Sequence, residues 1–497
     1  MKLRDLFAGI PHVGEWYEAE LEITSISADS REVSPGGLFA AIPGERFDGH
    51  EFIPLALERG AAAVLCQRPP DCPGPWLVVE NVREAWGRMC ANWFGNPGRQ
   101  MCLAAVTGTN GKTTTTTLLY EVLSGVTGAK VGLIGTNRNL IGKMELPAFA
   151  TTPDSYTLNE LLRRMADAGC RYVVMEASSH ALSQHRAAGL EFEVGVFTNL
   201  TRDHLDYHRD MESYRAAKEK LFSQCRRAVL NLDDETGRYY QSRVPCPVFT
   251  YSENDARADL CARSLRLFPG HVEFVALMGE KLERIHLPIP GGFSVYNALA
   301  VLSAGACLGL DLAEMARVMR TVKGVKGRVE IVPVPRAFTV IIDYAHSPHA
   351  LENILVTARD VTAGRLICLF GCGGDRDKTK RPLMGAVAQE LADMVVVTSD
   401  NPRSEPPEAI IGDILSGMEA DPARVFVEPD RVRAIRWCVS RGQPGDVIVL
   451  AGKGHEVTQE VNGVRYPMDE RKIVAECFQN PSKARRLGAG NLPGVSV

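Results

Sequence analysis

The most regular signal along the chain is a short, continuous apolar run followed by a longer stretch of helical spacing, repeated several times. Cys102-Leu103-Ala104-Ala105-Val106 reads as a buried strand, and Thr113 to Leu123 carries helix-length patterning behind it. Val131 to Ile134, a helix around Leu158 to Ala168, Tyr172 to Met175 and Val194 to Phe197 continue the alternation. A second series begins near Phe338-Thr339-Val340-Ile341-Ile342. It passes through Leu366 to Phe370, Met394 to Val397, Val425 to Val427 and Val447 to Leu450, with helical segments between. Ahead of both series, Ala61 to Leu65 and Trp76 to Val79 are short β-like runs set between Pro- and Gly-rich turns.

Strands alternating with helices imply mostly parallel sheets joined by right-handed crossovers. Breaks in the pattern fall at Gly95-Asn96-Pro97-Gly98 and at the Gly-rich turn Lys323 to Arg328. The 497 residues are too many for one ordinary core, so three domains are expected, at 1–98, 99–330 and 331–497. Apolar residues at 45% and charged residues at 23% are ordinary globular usage. A net charge of -4 gives no broad basic field, which argues against nucleic acid and leaves a small anionic ligand held at a local site. Met1 to Glu20 lacks the apolar core of a secretory signal, and no apolar run is long enough to span a membrane. The thirteen cysteines are scattered without CxxC spacing and read as reduced thiols, so a cytoplasmic protein is expected.

Chemistry enters at Gly108-Thr109-Asn110-Gly111-Lys112-Thr113, between the first strand and its helix. Two glycines let backbone N–H groups wrap a phosphate, the helix N-terminus adds positive potential, Lys112 supplies a point charge and Thr113 offers a hydroxyl to Mg²⁺. Val106 stands where the first glycine of the longer Walker pattern would be, and a glycine turn capping a helix is the bland alternative. Two polar clusters follow strands: Met175-Glu176-Ala177-Ser178-Ser179-His180, and Thr198 to His208. They place Glu176 and His204 at carboxyl ends of strands, as candidate metal ligands or, for the histidine, as a loop-bonding side chain. Lys218 alone reads as a solvated surface lysine. Asp400-Asn401-Pro402-Arg403 is either an Asn-Pro turn or a fork for a carboxylate supplied by Arg403. Gly371 to Arg376 lacks the last glycine of a dinucleotide fingerprint.

Taken in order, TGTNGKTT, MEASSH, TNLTRDHLDYH, YRAAK, DYAHSPHAL, GGDRDKTKRP, DNPR and AGKGHE resemble the Mur ligases of peptidoglycan synthesis, and within them the members that add 2,6-diaminopimelate. The resemblance runs from Asp29-Ser30-Arg31 to Gly454-His455-Glu456. It implies three α/β domains: an N-terminal UDP-substrate domain, a central P-loop-type ATPase domain with a mostly parallel sheet, and a C-terminal Rossmann-like domain for the amino acid. It assigns Gly108, Thr109, Asn110, Gly111, Lys112, Thr113, Thr114, Asn297, Arg328 and Asp343 to ATP. Ser30, Glu45, Arg46 and Phe47 fall to the UDP part of the substrate. Thr151, Thr152, Ser178, Gln184 and Arg186 fall to its muramoyl-dipeptide, with Ala150 where relatives often carry Asn. Lys218 becomes a carbamate (N6-carboxylysine) that binds Mg²⁺ together with Thr113, Glu176 and His204. Arg376, Asp400, Asn401, Pro402, Arg403, Gly452 and Glu456 surround diaminopimelate.

The implied reaction joins meso-2,6-diaminopimelate to the D-glutamate of UDP-N-acetylmuramoyl-L-alanyl-D-glutamate, with ATP, Mg²⁺ and an acyl phosphate. Lys112, Lys218, Glu176 and His204 form its catalytic set, in a monomer that does not insert into membranes. L-Lysine as acceptor, a folylpolyglutamate-type ligase, an ATPase switch without an acceptor and an inactive binding protein are the competing readings. Arg403 separates the first of these, because a guanidinium grips the second carboxylate that lysine lacks.

Overall fold

The computed structural model describes residues 1–12, 19–44, 47–69, 74–268 and 270–479. Glu45 and Arg46, both expected at the UDP site, lie outside the described residues. Among the described residues the strands form sheets of four, eleven, six and two.

The four-stranded sheet is wholly parallel, in the order Ile26–Ser27, Leu38–Ala40, Ala63–Cys66 and Trp76–Val78. Helix Val82–Trp93 follows it, started by Asn81, whose side chain accepts from the N–H groups of Arg83 and Glu84. Its Trp86 and Met89 fill the core of this layer.

At the centre of the large sheet, Cys102–Thr107 lies between Tyr172–Glu176 and Phe192–Phe197, parallel to both. Val131–Ile134 extends the sheet on one side, and Cys225–Asn231 and Val248–Ser252 on the other, still parallel. The apolar runs are buried on both faces, which is why they read as continuous rather than alternating. Helix Gly292–Cys307 is buried along nearly its whole length against the Thr-rich helix Lys112–Thr127. The sheet is less parallel than the apolar runs imply. A hairpin of Asn139–Ile141 and Met144–Leu146 closes one edge, and the antiparallel strands His271–Met278 and Lys281–Leu287 close the other.

The six-stranded sheet has the order Glu330–Val332, Thr339–Asp343, Val447–Ala451, Leu366–Phe370, Met394–Val397 and Val425–Val427, parallel except for its first strand. Arg431 and Glu470, both with wholly buried side chains, brace it with a 2.8 Å ion pair. Arg431 also donates to the carbonyls of Ser399 and Ala451, at the carboxyl ends of two strands.

Candidate active site

In both large sheets, strand order reverses beside the strand that feeds the chemistry, so the loops diverge and leave a crevice at the carboxyl ends. The loop after Cys102–Thr107 sits in one such crevice. Gly111 is left-handed at φ 83°, and a Cβ there would meet Asn297 Oδ1 at 2.5 Å. The helix that follows has no side-chain cap, so its first N–H groups face the crevice. Lys112 Nζ donates to the carbonyls of Gly108 and Thr109 at 2.9 and 2.8 Å. Burial lowers its pKa, offset in part by the carboxylate of Glu176.

Glu176 is 1% exposed at the end of its strand. It accepts from the Thr113 hydroxyl at 3.0 Å, and from the Thr136 N–H and hydroxyl at 2.7 and 3.0 Å. Gly135 makes this possible, since a Cβ there would lie 2.5 Å from Glu176 Oε1. The Gly135-Thr136 pair follows the strand Val131–Ile134, and that position was the only sequence signal for it.

Lys218 is 1% exposed, not a surface lysine. Its ammonium donates to Gly108 O at 2.8 Å and lies 4.5 Å from the Tyr214 ring, whose hydroxyl is 3.1 Å from Thr109 Oγ1. Burial, and then the charge of Lys112, push its pKa well down. His204 is left-handed at φ 54°, with its ring packed on His180 at 4.9 Å. Burial, and then His180 and His346, hold it below its ordinary value against the pull of Asp203, leaving a neutral imidazole. The carboxylate of Glu176 and the hydroxyl of Thr113, 3.0 Å apart, are oxygen donors of the kind a hard divalent cation takes, and Lys218 would add to them only with oxygen in place of its charge.

A cavity of about 330 Å³ opens from the loop toward the third sheet. Asn110, Gly111, Thr113, Thr114, Asn297, Arg328 and Asp343 line it, as do His349 of the DYAHSPHAL stretch and Asp233, Tyr296 and Asn353, which no motif revealed. Arg328 reaches across from beyond the Gly327 turn and donates to Thr113 Oγ1 at 3.3 Å. Asp343 accepts from the N–H groups of Val329 and Ala345, both at 2.8 Å.

On the other side, Thr152 Oγ1 donates to the Glu176 carbonyl at 2.8 Å and accepts from Ser178 N at 3.0 Å. The Thr151 hydroxyl lies 3.0 Å from Thr136 Oγ1 and donates to it, since the Thr136 proton goes to Glu176. Arg186 grips Gln184 Oε1 at 2.8 Å and the Thr152 carbonyl at 2.8 Å. Gln184 and Arg186 open onto a cleft of about 670 Å³, shared with Asp29, Arg83 and Trp86 of the first layer. Ser30 is buried next to Asp29, and Phe47 stands 68% exposed.

In the C-terminal layer, Lys453 is wholly buried and donates to Asn401 Oδ1 at 2.8 Å and to Glu456 Oε2 at 2.5 Å. This lysine, which sequence reasoning missed, ties DNPR to AGKGHE. Burial raises the Glu456 carboxyl, but Lys453 more than offsets it and keeps the group ionised. Gly452 is left-handed at φ 111°, where a Cβ would meet Asp400 Oδ2 at 2.7 Å. Arg403 is left-handed at φ 52°, behind buried Pro402, and donates from Nη1 to Gly374 O at 2.6 Å. Gly373 leaves room for that guanidinium, since a Cβ would sit 2.9 Å from Arg403 Nη1. Arg376 is exposed beside it and donates to the Asp375 carbonyl at 3.2 Å.

Comparison with known proteins accounts for most of the chain. Residues 22–91 match the Mur ligase family catalytic domain, 106–305 the Mur ligase middle domain, and 327–454 the Mur ligase glutamate ligase domain. A UDP-N-acetylmuramoyl-L-alanyl-D-glutamate–2,6-diaminopimelate ligase of Clostridioides difficile is 41% identical over 96% of this chain and 99% of its own. The ligase of that name from Geobacillus thermodenitrificans is 42% identical over 95% and 98%. A solved structure of a ligase with this name superposes with a TM-score of 0.69 at 32% identity, covering 97% of this chain and 99% of its own. The folylpolyglutamate synthase of Mycobacterium tuberculosis shares the fold, with a TM-score of 0.61 at 19% identity over 81% of this chain and 94% of its own. With full-length relatives at this identity and three family domains in order, the chain belongs to the Mur ligase family.

Proposed function

We propose that this protein is an ATP-dependent amide ligase that adds meso-2,6-diaminopimelate to the D-glutamate of UDP-N-acetylmuramoyl-L-alanyl-D-glutamate during peptidoglycan synthesis. One observation carries the reading: Glu176 accepts from Thr113 of the nucleotide cavity through its carboxylate and from Thr152, on the polar shelf with Ser178 and Arg186, through its carbonyl, so the phosphate loop and that shelf share one residue. There a carboxylate meets the terminal phosphate of ATP.

Two anions must approach, so charge neutralisation comes first. The open helix N-terminus and Lys112 take the phosphate charge, and Arg186 orients the dipeptide carboxylate. Mg²⁺, held by Thr113, Glu176, His204 and the carbamate of Lys218, adds further neutralisation when bound. Asn297 and Asp343 address adenine and ribose, and Arg328 the phosphates. The amine of diaminopimelate then displaces phosphate from the acyl phosphate and forms the amide. Asp400, Asn401 and Glu456 receive its near end, while Arg403, with Arg376, holds the far carboxylate. Ser30 and Phe47 belong to the uridine end of the substrate.

The protein acts in this reading as a cytoplasmic monomer, with domains near 1–98, 99–330 and 331–497. Among the described residues no helix is long and apolar enough to cross a membrane.

The test is phosphate release with the UDP-dipeptide plus diaminopimelate, L-lysine or no acceptor, and separately with a folate plus glutamate. Release with diaminopimelate alone is expected. Equal release with lysine would remove the acceptor assignment, and release without any acceptor would favour an ATPase.

A further inference from the structure

The outermost strands of the central sheet carry a second group of donor side chains, and none of its members lines the nucleotide cavity or the substrate cleft. Along His271–Met278, Val272, Phe274 and Ala276 turn into the core, as do Ile285 and Leu287 of Lys281–Leu287. Period-two alternation therefore sends His271, Glu273 and His286 to the opposite face. Glu273 and His286 are register partners across the antiparallel pair, and His271 lies two residues from Glu273 on the same strand.

The three side chains converge. Glu273 Oε1 is 3.2 Å from His286 Nδ1 and 3.8 Å from His271 Nε2, and one donor atom from each residue lies within 4.8 Å of the others. Phe268 stacks on the His271 ring at 4.4 Å and an angle of 11°, which restrains it without occupying a nitrogen. Zinc bonds of about 2.0–2.2 Å put neighbouring ligands of a tetrahedral site roughly 3.3 Å apart. The Glu273 separations already bracket that span. An ordinary ion pair needs one imidazole on the carboxylate, whereas here two address the same oxygen.

We propose that His271, Glu273 and His286 bind a divalent transition-metal ion of the Zn²⁺ type, with water completing its coordination. Two imidazoles and one carboxylate favour such an ion over Mg²⁺ or Ca²⁺, which prefer oxygen donors. The ion spans two strands, the second of which is the edge of the sheet, and so acts as a clip on the last strand pair. The inference is independent of the ligase reading.

The test uses the full-length, tag-free chain, stripped with a chelator and dialysed against Zn²⁺. The unsubstituted protein is expected to retain one equivalent more than His271→Gln/His286→Gln. Glu273→Gln, which keeps the shape of the side chain, is expected to weaken Zn²⁺ binding by about tenfold or more, because losing a direct ligand costs at least what losing its supporting partner does. Zn²⁺ should raise the melting temperature of the unsubstituted chain and not of the double variant, with ligase activity unchanged in all three proteins. Equal Zn²⁺ content and identical titrations across the three would overturn the proposal and leave a plain His–Glu ion pair. Should the double variant not fold, the Glu273→Gln titration decides alone.

Discussion

Lys112 and Lys218 donate to the same carbonyl oxygen, that of Gly108, at 2.9 and 2.8 Å. Among the described residues, neither ammonium forms an ion pair with a carboxylate, although each is held within the core of the site. Two cations converging on one oxygen repel each other, so the arrangement favours losing one charge or gaining an anion. In the proposed reaction, phosphate would answer for Lys112 and carbamylation for Lys218.

Lys112→Ala should lower kcat by about 10²- to 10³-fold, the usual cost of removing a preorganised donor to a developing charge. Steady-state phosphate release checks this, with circular dichroism to confirm the fold. A loss below about tenfold would move the phosphate site elsewhere.

Lys218 should exist as its carbamate in the working enzyme, since a depressed pKa leaves the free amine that reacts with CO₂. With ¹³C-bicarbonate, a carbamate carbon resonance should appear in the unsubstituted protein and be absent in Lys218→Arg, which should also be inactive. A fully active Lys218→Arg would remove this residue from the metal site.

Arg403→Ala should reduce kcat/KM for diaminopimelate by about 10- to 100-fold, the worth of a charge-assisted hydrogen bond pair. KM for ATP should not move. Selectivity over L-lysine should fall by the same factor, measured by competing the two acceptors in one reaction.

His208 sits below its ordinary 6.5, at about 4, because it is buried and then because His180 and Lys218 are close. A histidine whose pKa is depressed by folding is protonated first in the unfolded chain. Its contribution is therefore intact above about pH 6.5 and is lost as pH falls toward 4. At about 1.4 kcal/mol per unit, that is about 3 kcal/mol at most. Urea unfolding at about pH 7 and pH 4.5 should show His208→Phe losing less stability than the unsubstituted chain, since phenylalanine keeps the stack on Tyr214.

Arg431→Met should destabilise the C-terminal domain by about 3–5 kcal/mol, because it strands the buried carboxylate of Glu470. The same unfolding experiment reads it, and a change under 1 kcal/mol would mean that Glu470 takes up a proton at little cost.

Much of the fold was legible because parallel strands buried on both faces read as unbroken apolar runs, as in Cys102–Thr107 and Val447–Ala451. The antiparallel edges were not, since Leu260–Phe268 and Lys281–Leu287 mix charge into their exposed positions and resemble loops in one dimension. Of the candidate site, Glu176 and the phosphate loop declare themselves by lying at the carboxyl ends of strands. Lys218 does not: its helix is polar on average, and only the packing of Tyr214 and the loop over it creates its burial. Lys453 stayed hidden for the same reason, its partners Asn401 and Glu456 lying 52 residues before it and 3 after it.

Arg328 ends the Gly-rich turn that precedes the six-stranded sheet, and its guanidinium reaches back to the hydroxyl of Thr113 beside the phosphate loop. A swing of the C-terminal domain away from the central one would withdraw that guanidinium from the phosphate loop. In the proposed reaction, such a swing would loosen the nucleotide and open the acceptor side in one movement, gearing the release of the two products to each other.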